Sequence, residues 1–409
     1  MNAECVYCGQ ANEFNGEHMF PAGLGGDDKR FMIKDCVCEV CNTYFSKLEG
    51  ELSRRTPSAL ARLIKQSQGR NRGRKSSEPV IQTESSYIID DGRLLEAKIS
   101  AKMTASLVPQ IHVDGMRILF TANEHHTLEA FLEACREVLL APEIRVIEKK
   151  TEASGTHYLV RVVSYDGEKP TIGDYIVTNK APVKSVWIKE PLQKSKHNSD
   201  GNVANLTPRF YHHEGRTITY KSPDPSNILE DIAKVRQFLA APNVETSYTD
   251  STIDSPLVSV EMGFDILSVF QAYAKIGMNF IIHLGGHEYA RESGFASIKS
   301  KIRKQGSEIQ VRAIDETDPF YHALGIYPDE AHCMALHSFA IGEGRSSIFF
   351  HLKLYGGPIH EIVIAESVPT PAWGIESKYA LIYFNEHRIE LLDENEYFSI
   401  QAKYSSTAR

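Results

Sequence analysis

The chain has 409 residues, a net charge of −8, 42% hydrophobic residues and 24% charged residues. This length exceeds one ordinary hydrophobic core and predicts two or three domains, and the composition excludes a disordered chain. The negative charge excludes a protein that coats nucleic acid with its whole surface, although a local basic patch still acts over a Debye length, about 8–10 Å.

Five of the seven cysteines lie within the first 41 residues. An odd number of cysteines at one end predicts a metal site rather than a disulfide framework. The first residues lack the basic and apolar regions of a signal peptide, so we expect a reducing, cytoplasmic setting. No membrane span is expected, because the most apolar stretch, residues 266–284, has a polar residue at every fourth position and suits an amphipathic helix. These positions are Gln271, Lys275, Asn279 and His283.

Residues 42–52 predict a helix, because Tyr44, Phe45, Leu48 and Leu52 are spaced for one buried face. The segment after it is strongly basic, with eight basic residues and one acidic residue between positions 51 and 77. Lys and Arg bind phosphate backbones, so we expect a contact with nucleic acid, the alternative being a solvated face followed by a mobile connection over residues 67–78. The predicted contacts are Arg54, Arg55, Arg62, Lys65, Arg70, Arg72, Arg74 and Lys75.

The remainder has the patterns of mixed α and β structure. Periodicity predicts helices at residues 128–140, 227–240 and 264–284. Alternating apolar residues predict strands at residues 87–89, 118–120, 145–147, 158–165, 347–355, 361–366, 379–384 and 388–392. Residues 194–209 have the composition of a loop or domain boundary.

Two CxxC pairs, Cys5/Cys8 and Cys38/Cys41, have the spacing of one tetrahedral zinc site. Four thiolates leave no open coordination position, so the predicted zinc is structural and replaces a core that about fifty residues can hardly build. Cys36 could compete with Cys38, but the preferred loop length favours Cys38.

Between the pairs stand Glu17-His18-Met19-Phe20-Pro21 and then Leu24-Gly25-Gly26, and Asn42 directly follows Cys41. With these motifs, residues 5–49 resemble the four-cysteine branch of the HNH nuclease family and the endonuclease VII-type junction resolvases. The resemblance implies a ββα-metal, treble-clef-like module. It also implies the activity of a nuclease, of the kind found in bacterial restriction and anti-phage defence proteins.

The resemblance implies that His18 is the catalytic base and that Glu17 and Asn42 hold a catalytic Mg²⁺ or Mn²⁺. A histidine can accept a proton near pH 7, and carboxylate and amide oxygens suit hard cations. Adjacent strand residues point to opposite faces, so Glu17 and His18 share one site only if the strand bends or if they do different jobs. Asn42 has a second interpretation as a helix N-cap.

The chain departs from the family pattern at one position. HNH proteins commonly carry a middle Asn that braces the catalytic loop, and no Asn lies between Asn15 and Asn42. Asp28 or Asp35 are the candidates to replace it.

The predicted fold class is α+β, with a small zinc-stapled module joined to a larger mixed region. Its ranges are 1–55 for the nuclease module, 56–79 for a basic helix and linker, 80–195 for an α+β region without an assigned role, and 210–409 for a C-terminal region that senses or recognises a target. The expected function is a divalent-metal-dependent endonuclease acting on double-stranded DNA. Two alternatives stay open, a non-catalytic zinc-stabilised nucleic-acid-binding protein and a ligand-activated sensor–effector nuclease. A small-molecule or protein activator and a homo-oligomer also stay open.

Overall fold

A computed structural model describes residues 4–407, apart from 12, 70, 73–74, 77, 91, 101–103, 153–154, 166–169, 190–205, 214–216, 242–251, 254–255 and 326. The chain is of the mixed α+β class and divides into two compact units. The first comprises Met1–Glu84, Ser100–Met103 and Met262–Arg409, and the second comprises Ser85–Ile99 and Thr104–Glu261. The N-terminal segment thus belongs to the same compact unit as the C-terminal region. The four domain ranges given in the sequence analysis stay predictions.

The first unit begins with two short antiparallel strands, β1 (Glu17–His18) and β2 (Met32–Ile33). Glu17 lies opposite Ile33 and His18 lies opposite Met32. A long helix follows these strands, so the N-terminal segment has the chain order strand, strand, helix.

Helix α1 (Glu39–Arg55) confirms the predicted helix over residues 42–52, and Phe45, Leu48 and Leu52 are buried as expected. Pro57 opens helix α2 (Pro57–Lys65), a position where a missing backbone N–H costs nothing. Two short paired strands, β3 (Asn71–Arg72) and β4 (Lys75–Ser76), lie where the composition predicted a mobile connection.

The second unit contains two sheets. Its strands are β5 (Ser85–Asp90), β6 (Arg93–Ile99), β7 (Ala105–Leu107), β8 (Gln110–Asp114), β9 (Arg117–Thr121), β10 (Glu143–Glu152), β11 (Gly155–Tyr165), β12 (Pro170–Thr178), β13 (Val186–Ile188), β14 (Arg209–His213), β15 (Thr217–Lys221) and β16 (Leu257–Glu261). The larger sheet has the order β12-β11-β10-β13-β15-β14-β8-β9, and the smaller has the order β16-β5-β6-β7.

Helices α3 (His125–Leu139) and α4 (Ile228–Ala240) pack on the larger sheet of this unit, where their apolar faces share one core with its strands. They confirm the helices predicted at 128–140 and 227–240. The four predicted strands of this unit are also confirmed. Of the predicted loop at 194–209, residues 194–205 lie outside the described part of the chain, and Arg209 begins β14.

Helix α5 (Ile266–Ala290) returns the chain to the first unit and confirms the helix predicted at 264–284, with a kink at Gly286. The predicted amphipathic character is wrong, because Gln271, Lys275 and Asn279 are fully buried. Gln271 Nε2, the Lys275 ammonium and Asn279 Nδ2 donate hydrogen bonds inside the protein, so the stripe is an internal contact surface rather than a solvated face.

One sheet packs against α5 in the order β17-β20-β19-β18-β21-β22. Its strands are β17 (Val311–Ile314), β18 (Ala331–Gly342), β19 (Arg345–Lys353), β20 (Ile359–Pro369), β21 (Lys378–Tyr383) and β22 (Arg388–Leu392). They confirm the four strands predicted after residue 345. The remaining α-helices of the described residues are α6 (Ala296–Arg303), α7 (Pro319–Gly325) and α8 (Glu394–Thr407). No helix within the described residues is long and apolar enough to cross a membrane.

Gly277 lies in the tight contact between α5 and the sheet, whereas Gly50 of α1 does not. We therefore expect opposite effects on folding stability when each is replaced by alanine. A Cβ at Gly277 would lie 2.7 Å from the Phe350 ring and 3.0 Å from Ile364, whereas a Cβ at Gly50 of α1 would meet nothing within 4 Å. We expect Gly277→Ala to destabilise the fold by about 1–3 kcal/mol through overpacking. Gly50→Ala should stabilise it by up to about 1 kcal/mol through helix propensity. Urea unfolding of both variants measures the difference, and equal shifts would contradict this packing.

Candidate metal centre and adjoining histidine site

Four cysteine side chains come together at the start of α1. The sulfur atoms of Cys5, Cys8, Cys38 and Cys41 all lie within 4.8 Å of one another, and Cys8 Sγ is 3.6 Å from Cys38 Sγ. These are the four residues that the CxxC spacing predicted. Four thiols at such distances could bind a metal such as zinc.

Local backbone geometry holds the cluster. The Gly9 amide donates to the Cys5 carbonyl at 2.8 Å, which closes the turn around the first CxxC pair. The Cys38 amide donates to Cys5 Sγ at 3.4 Å, and its carbonyl accepts from the Asn42 amide in the first turn of α1. The second CxxC pair is therefore the start of the helix, and the thiols fix the helix to the N-terminal turn.

Cys36 is not part of the cluster. Its carbonyl accepts from the Val6 amide at 2.9 Å, and burial raises the pKa of its thiol. Within the cluster, the hydrogen bond with Cys41 lowers the pKa of Cys5 to about 4. The same hydrogen bond raises the pKa of Cys41, and burial raises the pKa of Cys8. A bound metal would replace the protons that these thiols hold, because thiolates are the metal-binding form of cysteine.

We expect substitutions of Cys38 and Cys36 to have different effects on zinc binding, because Cys38 belongs to the cluster and Cys36 does not. Cys38→Ser should abolish stoichiometric zinc binding and lower the melting temperature, because a metal held by the four thiols would attach the start of α1 to the N-terminal turn. Cys36→Ser should keep the zinc. Metal analysis by mass spectrometry together with thermal unfolding measures both effects, and zinc loss in the Cys36 variant would contradict the assignment of the ligands.

Glu17 on β1 points into the protein and is 5% exposed. Its Oε1 atom accepts from the Lys275 ammonium, which also donates to Glu49 of α1. Asn279 Nδ2, one turn further along α5, donates to the same Glu17 oxygen at 3.2 Å. Glu17 is therefore held by α5 through a buried ion pair and an amide.

Asn279 connects this ion pair to the neighbouring residues. Its Nδ2 also donates to the His18 carbonyl at 2.9 Å, and its Oδ1 accepts from the Tyr7 hydroxyl at 2.7 Å. Burial alone would lower the pKa of Lys275, but Glu17 and Glu49 raise it, so the ammonium keeps its proton. The helix α5 thereby positions the backbone of β1 and the first cysteine turn together.

His18 points away from the ion pair, as alternation along a strand requires. Its Nε2 atom lies 3.6 Å from Asp27 Oδ1, and the two side chains are 14% and 19% exposed. Asp27 returns to His18 because the chain turns sharply at Gly25 and Gly26. A Cβ at Gly26 would lie 2.2 Å from the Phe20 carbonyl oxygen, so only glycine fits there.

Asp28 fixes the same loop. Its carboxylate accepts from the Arg30 amide at 3.1 Å and from the Ile389 amide at 3.2 Å, and the Arg30 guanidinium lowers its pKa. Asp35, the other candidate to replace the middle Asn, is exposed. Asp28 and Arg30, which donates to the Ile389 carbonyl at 3.4 Å, thus attach this loop to β22.

Asn42 lies in the first turn of α1 and contacts the start of β1. Its Nδ2 donates to the Gly16 carbonyl at 3.3 Å, which uses the amide nitrogen and not the amide oxygen. The three residues predicted to form the catalytic site are therefore neighbours, but Glu17 faces inward and His18 faces Asp27. Within the described residues, the four thiols are the only cluster of three or more Cys, His, Asp or Glu ligands.

The predicted basic contacts occupy different environments. Arg54, Arg55 and Lys65 are exposed, although Arg55 Nε donates to Gln82 at 2.8 Å. Arg62 is buried, and its guanidinium donates to the Ser53 carbonyl and to Gln66. The backbones of Arg72 and Lys75 belong to β3 and β4, and Arg70 and Arg74 lie outside the described residues.

The residues that sequence reasoning missed are Lys275, Asn279, Asp27 and Tyr7. The fourfold spacing of polar residues on α5 was the available signal for the first two, but it did not reveal their partners. Comparisons with protein-family models, curated proteins and solved structures found no match to this chain.

The buried ion pair predicts a pH-dependent cost of removing Lys275. Lys275→Met would leave Glu17 and Glu49 without their cation, and we expect a loss of about 3–5 kcal/mol of folding stability near pH 8. Burial raises the pKa of Glu17, so the folded variant takes up a proton more readily than the unfolded chain as the pH falls.

The stability lost in this variant should therefore be smaller at pH 5 than at pH 8. Chemical unfolding at both pH values measures the loss, with Lys47→Met, an exposed position on α1, as the control. An equal loss at both pH values would contradict the role of the two carboxylates.

Proposed function

We propose that this chain is a divalent-metal-dependent endonuclease of the HNH type that hydrolyses phosphodiester bonds in double-stranded DNA. One observation carries the proposal: the histidine of a two-stranded hairpin, beside Asp27 at 3.6 Å, adjoins a helix that starts at a four-cysteine cluster. A protein that used the cysteines only to bind nucleic acid would need neither this histidine nor its carboxylate neighbour.

His18 is the proposed general base. A neutral imidazole near pH 7 can take the proton of the water that attacks the phosphorus atom. The imidazolium formed in this step lies beside the Asp27 carboxylate, which stabilises its charge. The proton thus passes from the water to His18 as the new P–O bond forms and the bond from phosphorus to the leaving oxygen breaks. The leaving oxygen takes a proton from solvent, and the imidazolium returns its proton to solvent.

A Mg²⁺ or Mn²⁺ ion would stabilise the negative charge that develops on the phosphate. Asp27, which lies beside His18, and Asn42, which contacts the Gly16 carbonyl, carry hard oxygen donors and would hold it. Glu17, the ligand expected from the resemblance, is 5% exposed, and its Oε1 atom is bonded to Lys275 and Asn279, so metal binding there would disturb a buried ion pair. We therefore assign Glu17 to positioning β1. Magnesium sites commonly have few protein ligands and rely on waters and substrate phosphates.

The exposed residues Arg54, Arg55 and Lys65 remain proposed contacts to the DNA backbone. Arg62 is left out because its hydrogen bonds lie inside the protein. The resemblance further suggests a cytoplasmic restriction or defence nuclease, with the second unit as a sensing or target-recognition part. The same proposal includes a small-molecule or protein activator that would act through the second unit.

A second candidate function is a zinc-stabilised protein that binds nucleic acid without cutting it. The observation in its favour is the ion pair of Glu17 with Lys275, which occupies the carboxylate that the nuclease family would use for its metal. Such a protein would have no need of an intact imidazole at position 18.

The nuclease proposal predicts that plasmid DNA is cut in the presence of Mg²⁺ or Mn²⁺ and that His18→Ala lowers the cleavage rate by about 10²–10⁴-fold, the usual contribution of a general base. His322→Ala, an exposed histidine on α7, is the control and should cut at the original rate. The rates are measured as conversion of supercoiled plasmid to nicked and linear forms.

Equal cleavage by the His18 variant and the unsubstituted chain would remove His18 from the mechanism. Absence of cleavage by the unsubstituted chain on double-stranded DNA, single-stranded DNA and RNA, with DNA binding retained, would favour the binding protein instead.

A further inference from the structure

A cavity of about 460 Å³ lies in the first unit beside the first cysteine turn. Tyr7 and Gly9 line it on the side of the turn. On the other side, in and around α6, it is lined by four basic residues, Arg291, Lys299, Arg303 and Lys304. No acidic residue is found among the described residues that line it.

The positive charge of this cavity exceeds what its neighbours neutralise. Arg291 is paired with Glu4, whereas Arg303 only donates to the Tyr7 carbonyl at 3.4 Å, and Lys304 is exposed. Residues 291–304 carry five basic side chains and one acidic side chain in a protein whose net charge is −8. The cavity is therefore a local basic site on an acidic protein.

Part of the positive charge of the cavity offsets the negative charge of the cysteine cluster. Four thiolates around a divalent zinc carry net negative charge, and Cys5 lines the cavity. Lys299 is the cation suited to offset it, because it is buried and held by the Ala290 carbonyl at 2.9 Å. Arg303 and Lys304 are exposed, so their charge is available to a ligand from solution.

We propose that this cavity binds backbone phosphates of double-stranded DNA, with Arg303 and Lys304 as the contacting cations. The proposal rests on the proposed function only for the choice of DNA as the phosphate-bearing ligand. Ser300, one turn before Lys304, adds a hydroxyl donor to the same lining. A membrane surface fits less well, because the apolar lining residues Val6 and Tyr7 are buried and cannot insert into lipid.

The test measures binding of the full chain to a labelled DNA duplex by fluorescence anisotropy over a range of salt concentrations. The His18→Ala background prevents cleavage during the measurement. Adding Arg303→Gln and Lys304→Gln should weaken binding and make the slope of log K against log salt shallower by about 2, because each phosphate contact contributes about 0.9. Lys301→Gln on the same helix is the control, since Lys301 is exposed but does not line this cavity, and it should leave the slope unchanged.

Three results would overturn the proposal. An unchanged slope in the Arg303/Lys304 variant would show that these residues do not contact phosphates. Loss of zinc from that variant would show that Arg303 and Lys304 stabilise the zinc-bound thiolates rather than bind phosphates. Equal dependence on these residues for binding to phosphatidylserine vesicles would make the site a general anion surface. DNA binding through this cavity without cleavage by the unsubstituted chain would instead contradict the nuclease proposal alone.

Discussion

The arrangement of the first unit depends on the two ion pairs of Lys275. Its fully buried ammonium lies between the carboxylates of Glu17 and Glu49. It joins β1 and α1, which are close together in the sequence, to α5, because Lys275 is 258 residues from Glu17 and 226 residues from Glu49. Two carboxylates around one ammonium give a buried group whose net charge is negative, and such a group is tolerated only when its hydrogen bonds are made. Asn279 makes one of these bonds to Glu17. It also donates to the His18 carbonyl, so the same side chain positions the backbone of the candidate site.

The cysteine cluster and the ion pair hold the same small segment from two sides. The thiols attach the start of α1 to the N-terminal turn, and α5 supplies the apolar surface that this segment cannot build alone. One hydrophobic core accordingly contains Phe20, Phe45 and Leu48 together with Ile276, Phe280 and Ile282 of α5. The N-terminal segment is thus part of a larger folding unit, and a metal would add to a core that is already shared.

The sequence predicted what depends on local spacing and missed what depends on distant partners. Two CxxC pairs were enough to predict four neighbouring thiols, because ligand spacing is a local property. The pair of Glu17 and Lys275 spans 258 residues, and no periodicity reports such a contact. The polar stripe of α5 located the polar residues correctly but not their surroundings. Asp27 reaches His18 only through the turn at Gly25 and Gly26, and Arg62 is buried because it shares a helix face with Ala59 and Leu63.

Under the proposed function, Glu17 positions β1, and the catalytic groups His18 and Asp27 lie on the other face of this strand. The most direct test is a crystal structure with manganese, recorded with anomalous scattering at the zinc and manganese absorption edges. We expect a zinc signal at the four thiols, a manganese signal beside His18 and Asp27, and Glu17 still bonded to Lys275. Manganese bound to Glu17 with Lys275 displaced, or no manganese beside His18, would contradict the proposed roles of Glu17 and His18.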